Sequence, residues 1–149
     1  MVKPFLVPRG DGRPRLSWNL DANVGLNSPN RQDDVELVQL GYLAMGANPA
    51  SGLPPDIRGM ISKNVVGERC TGRQDDKLVQ IIFAHQRDRG SLVDGHVSVL
   101  KGDMMTIDFA LNPLLNNIHD SIPNDYPRVE KHPRCGPMLR LAVLSGVKH

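Results

Sequence analysis

A chain of 149 residues is the size of one domain and can bury a real core; its net charge of +2 is too small to argue for nucleic acid or a membrane surface as partner. Hydrophobic residues make up 40% but aromatics only 4%, so the core must be built from aliphatic side chains and methionine. Fourteen Gly and twelve Pro limit regular structure, and no run approaches the roughly 20 apolar residues of a membrane-spanning helix.

Residues 1–22 read as an extended arm. Pro4, Pro8 and Pro14 fix φ and forbid a helix, while the alternation over Leu16–Leu20 predicts one short strand. Trp18 is the single tryptophan, and is expected to staple the arm to the core. Lys3, Arg9, Arg13 and Arg15 face only Asp11, which reads as a solvated tail, since no aromatic side chains interleave them as single-strand binding would want. Pro4 and Pro8 also break the apolar run at the start, so no signal peptide is read. The expectation is a cytoplasmic protein, one exported without a cleavable leader, or one whose leader has been trimmed.

Turn residues fill 23–30, and a helix follows near 33–46. Asp33 or Asp34 is a suitable N-cap, Leu37, Leu40, Leu43 and Ala44 form its apolar face with Val38 and Tyr42 beside them, and Gly46 and Pro49 end it. Residues 47–66, with Pro49, Pro54 and Pro55, read as a loop with at most one helical turn around Asp56–Ile61. A second helix is predicted near 75–87, because Leu78, Ile81, Ile82 and His85 fall at i, i+3, i+4 and i+7. His85 on that stripe reads as a buried, neutral core histidine. Arg87–Gly90 stops the helix, and Asp94-Gly95 is a turn. A third, Thr-headed helix is expected near 105–112. Residues 113–137, with five prolines, read as irregular, and Met138–Leu144 reads as a strand able to pair with Leu16–Leu20. Leu37, Leu40, Val79, Ile82, Val97 and Phe109 are predicted core residues.

Asn30-Arg31-Gln32-Asp33-Asp34 is echoed by Gly72-Arg73-Gln74-Asp75-Asp76, each near a helix start, as two similarly capped helices packed as a pair would be. Arg31 and Arg73 read as surface charges, either of which is a candidate to meet a ligand carboxylate. Cys70 and Cys135 lie far apart in sequence, leaving free thiols and a disulfide both open. The chain offers no nucleophile elbow, phosphate loop or His-Glu-x-x-His. His119-Asp120 with Asp94 and His96 makes a metal set only on paper, and nothing places either cysteine beside a histidine. No catalytic residue, metal site or cofactor is therefore assigned.

The residues Ile82, Gln86, Gly90, Leu92, Asp94, Gly95, Val97, Thr106 and Leu111, with Asp34-Val35 and Val38-Gln39 in the first helix, carry a resemblance. Over about residues 24–112 the chain resembles the peptidoglycan-binding-like domains, small helical cell-wall modules. His85 departs from that pattern, where the family usually has Phe, and the loop from Ser98 to Met105 is long for it. The resemblance implies a mainly α fold with a compact three-helix core over 23–112. The residues themselves, outside the resemblance, frame it with the N-terminal arm of 1–22 and a Pro-rich C-terminal extension of 113–149 that ends in a strand, the two arms able to form a small sheet. The resemblance also implies a non-catalytic module for cell-wall glycan peptide. The ligand would lie in a shallow groove edged by Arg73, Gln74 and Asp75 on one side and Asp94 and His96 on the other. The second reading is a protein-interaction part of a secretion or phage-like assembly, in a structural, adaptor or immunity role, with a protein partner gripped by the arms. Neither reading calls for nucleic acid or membrane insertion.

Overall fold

The computed structural model describes residues 1–7, 15–100 and 110–146. Strands β1 (Lys3–Val7) and β2 (Arg15–Asn19) pair antiparallel, with Lys3 opposite Asn19, and β3 (Val24–Gly25) precedes helix α1 (Gln32–Ala47). Helices α2 (Pro55–Ser62) and α3 (Lys77–Arg89) follow, then β4 (His96–Val97), α4 (Leu111–Ser121) and α5 (Pro137–Gly146). The fold is mainly α with small sheets.

The centre of the molecule is α1, buried on every side from Asp33 to Tyr42. Leu37, Leu40, Val35 and Val38 supply its apolar contacts, and each is completely buried. A helix so enclosed must satisfy its polar side chains internally. It does so by holding other segments of backbone. Asp33 accepts the Val2 N–H at 2.5 Å, and Asp34 accepts those of Asp21 and Ala22 at 2.9 and 3.1 Å. Gln39 donates to the Glu68 carbonyl and accepts the Gly67 N–H, both at 2.9 Å. Glu36 accepts the N–H groups of Met138 and Leu139 at 3.0 Å. Burial raises the Asp34 carboxyl above its usual range despite those two backbone donors.

Two prolines and two glycines set how the helices meet. Pro55 opens α2, where its missing N–H is no loss, and Pro113 stands in the first turn of α4 for the same reason. Gly41 lets α4 cross α1 closely: a Cβ there would stand 2.6 Å from Cβ of Leu114. Gly46 gives the same clearance to Ile61 of α2. Gly41→Ala should therefore lose stability although alanine is the better helix former. The overpacking cost of about 1–3 kcal/mol exceeds the roughly 1 kcal/mol gained in propensity. Urea denaturation should give a lower midpoint for the variant; a raised one would mean that α4 yields freely.

Several expectations hold. The helices predicted near 33–46 and 75–87 are α1 and α3, and Leu37, Leu40, Val79, Ile82 and Val97 are buried. Gly90 closes α3 in the left-handed region, though Arg87–Arg89 belong to the helix rather than to its stop. Trp18 is buried and donates its Nε1–H to the Pro127 carbonyl at 2.6 Å, which staples β2 to the C-terminal third. The stretch around Asp56, by contrast, exceeds the single helical turn expected within a loop: it is the eight-residue helix α2. The helix near 105–112 falls, through Phe109, outside the described residues.

Three readings are corrected. Met138–Leu144 is not a strand but the body of α5, and β2 pairs with β1 instead of with a C-terminal arm. Leu139, Ala142 and Val143 are buried at i, i+3 and i+4, which is helical spacing, and Pro137 is pre-set for a first turn. The region from 113 is not irregular throughout, since α4 crosses the expected boundary after 112 and buries Leu111, Leu114, Leu115 and Ile118 against the core. Asp33 and Asp34 are not N-caps. Arg31 holds that position without a side-chain bond, and both acids stand within the first turn, where they still favour the positive helix end.

Candidate binding site

The chain from Cys70 to Lys77 turns into α3 through Asp76. Its carboxylate accepts the N–H groups of Leu78 and Val79 at 2.9 and 3.4 Å, and on the other side the N–H and hydroxyl of Thr71 at 2.9 and 3.1 Å. Burial works against ionisation of Asp76, but these donors outweigh it and hold the carboxyl below its usual range. The sequence echo thus splits in function. In the second copy the last aspartate is a true N-cap, whereas in the first it is a buried anchor for the chain before α1.

At the other end of α3, Gln86 is buried and clamps the turn that follows. Its Nε2 donates to Asp94 Oδ1 at 2.9 Å and to the His96 carbonyl at 3.1 Å; its Oε1 accepts the N–H groups of Asp94 and Gly95 at 3.2 and 2.9 Å. Gly95 takes φ 76, and a Cβ there would strike the Phe83 ring. This turn feeds β4, whose Val97 and His96 pair with Val24 and Gly25 of β3.

The two predicted edges of the groove meet the same loop. Leu26 N–H donates to the Gly95 carbonyl at 2.9 Å, and Asn27 N–H to the Gly72 carbonyl at 3.0 Å. Yet the five side chains do not act alike. Arg73, Gln74 and Asp75 are exposed, whereas Asp94 is committed to Gln86 and its Oδ2 stands 3.5 Å from His96 Nε2. Arg31 is paired with Asp21, at 2.8 Å. Of the five, Asp75 lines a cleft whose remaining walls were not foreseen. It lies between α2 and α3, holds about 650 Å³, and is bounded by Asp56, Gly59, Met60, Lys63, Lys77, Gln80 and Ile81 as well. The Pro54-Pro55-Asp56 start with Ile57 and Ile61 four apart was the signal that one wall would be helical.

Burial disfavours the charged forms of both thiols and of one imidazole. Both cysteines are free thiols, and burial pushes each up to about 11. His132 is buried and its imidazole is held below its ordinary value, first by burial and then by the Arg134 charge. Among the described residues no group of three or more His, Cys, Asp or Glu is placed to hold a metal, and no helix is long and apolar enough to cross a membrane. Comparison with known protein families, curated proteins and solved structures finds no match for this chain.

Proposed function

We propose that the chain is a non-catalytic binding module for cell-wall glycan peptide. The observation that carries this reading is the Gln86–Asp94–Gly95 clamp feeding the β3–β4 pair. Gln86, Asp94 and Gly95, three of the residues on which the likeness to peptidoglycan-binding-like domains rests, form one hydrogen-bonded unit that leads into Val97 of β4. Beside it, Arg73 and Asp75 are exposed on the segment whose Gly72 carbonyl accepts from the loop that both edges share. Such groups suit the carboxylates and amides of a peptide stem.

Purified protein should co-sediment with isolated sacculi and be displaced by soluble muropeptides. Arg73→Ala should weaken retention by about two- to fivefold, the contribution of one exposed ion pair, without lowering the melting temperature. Retention unchanged by that substitution would remove Arg73 from the site; no sedimentation at any salt concentration would end the wall-binding reading.

One observation favours the second reading, a protein-interaction part of a secretion or phage-like assembly. Met138, Leu141 and Leu144 lie along α5 with 45%, 59% and 44% of their surface exposed, an apolar stripe of the kind that partners cover. The N-terminal segment is not a detachable grip, because Val2 and Trp18 are buried in the core. Leu141→Asp, and not removal of the arm, is therefore the substitution that should break such an interface.

A further inference from the structure

The α2–α3 cleft contains a helix-weakening residue that folding does not explain. Three glycines lie inside α1 and α2, and two of them are required by neighbours, Gly41 by Leu114 and Gly46 by Ile61. Gly59 stands in the middle of α2 with no atom within 4 Å of where its Cβ would be, and its backbone needs no positive φ. Glycine at such a position weakens a helix relative to alanine. The space that it leaves opens into the cleft.

The walls of that cleft carry charge of both signs. Asp56 and Lys63 stand at opposite ends of α2, and Asp75 stands on the α3 side. Among the described residues none of the three has an ion-pair or side-chain hydrogen-bond partner, whereas Lys77 is paired with Glu68 at 3.1 Å. Met60 and Ile81 supply apolar surface between them. Two free carboxylates argue against a phosphate or polyanionic ligand, and a free lysine beside apolar surface argues against a simple cation. Asp56 and Lys63 are seven residues apart on and at the end of the helix, roughly 10 Å along its axis. An extended tripeptide spans about the same length.

From this we infer that the cleft is a binding site for a short peptide with free ends, whose ammonium group meets Asp56 and whose carboxylate meets Lys63, its backbone passing over Gly59 between α2 and the Asp75 side. Asp75 borders both this site and the Arg73 edge, and the peptide site does not depend on the wall-binding reading.

The test is calorimetric titration of the whole chain with the tripeptide Ala-Leu-Ala. Binding should have a Kd on the order of 1 mM, as few contacts and a flexible ligand allow. N-acetylation or C-terminal amidation of the peptide should each weaken it about two- to fivefold, and Lys63→Met should match the effect of amidation. Gly59→Leu should remove detectable binding while leaving the melting temperature no lower than that of the parent. Because this substitution falls on an exposed helical position, loss of binding in a folded variant separates a blocked cleft from a damaged one. The proposal is overturned if the tripeptide does not bind at about 10 mM, if the blocked peptides bind as well as the free one, or if Gly59→Leu binds undiminished.

Discussion

Acidification from about pH 6.5 to about pH 4 should cost the folded protein roughly 3 kcal/mol through His85 alone. His85 is 1% exposed. Burial, and then the Arg89 guanidinium, lower it from 6.5 to about 4, against a small opposite effect of Asp88. Arg89 Nε lies 3.4 Å from His85 Nε2 and donates to it, so Nε2 is the acceptor and Nδ1 carries the proton, facing the Tyr42 hydroxyl at 3.1 Å. A second proton would set two donors against each other. The unfolded chain takes up its proton near 6.5 and the folded one only near 4, so this contribution is complete above 6.5 and is lost as pH falls between the two values. His132 acts in the same direction, and Asp34, raised by burial, in the opposite one. Comparison of variants therefore isolates His85. His85→Phe should flatten the acid limb but begin about 1–3 kcal/mol lower at neutral pH, because it strands the buried Tyr42 hydroxyl. Adding Tyr42→Phe should recover most of that loss. Chemical denaturation of the three proteins across the pH range measures both effects, and an unchanged acid limb in His85→Phe would exclude a buried neutral imidazole.

His85 and its helix were legible because a stripe at 3.6-residue spacing states which face is buried, whatever covers it. The same holds for Leu37 and Leu40, and for the Gly90 stop. What could not be read was α5. Met138–Leu144 is nearly continuous in apolar residues, and periodicity cannot separate a strand from a helix in so short a run. The deciding contact comes from Glu36, 102 residues away, whose carboxylate supplies the cap that the local sequence lacks. Asp33 and Asp34 failed for a related reason. Their residue type suits a cap, but the backbone they hold is that of Val2, Asp21 and Ala22, and no local rule carries such a pairing.

The candidate site divides along the same line. Gln86, Asp94 and Gly95 lie within ten residues of one another and the Asp94-Gly95 turn could be read, but the commitment of Asp94 to Gln86, where a ligand contact was expected, could not. The α2–α3 cleft joins residues 56–63 to 75–81, which only the packing of the two helices brings together. Density of proline around residues 49–55 pointed to loop, although proline in a first turn is compatible with helix.

Glu36→Ala should be among the most damaging single substitutions in the protein, costing on the order of 3 kcal/mol. Glu36 is 1% exposed; its Oε1 accepts both first-turn N–H groups of α5, while Oε2 accepts from Gln32 Nε2 at 2.9 Å. Alanine leaves those two N–H groups without their acceptor and removes negative charge from a helix N-terminus. A glutamine in its place would keep one carbonyl acceptor without the charge, so Glu36→Gln should cost about 1 kcal/mol. Gly136 is part of the same arrangement, because a Cβ there would overlap the Glu36 carboxylate. Gly136→Ala should then be destabilising alone and far less so when Glu36 is already alanine, since the group it collides with is gone. The double-mutant cycle should show a coupling of about 1–3 kcal/mol. Amide exchange should accelerate over α5 in Glu36→Ala while α3 stays protected, because α3 reaches α1 through other contacts, Tyr42 with His85 among them. Additive costs for the two substitutions, or equal exchange in both helices, would mean that α5 is held by its apolar face alone, by Leu139, Ala142 and Val143, and that the carboxylate is incidental.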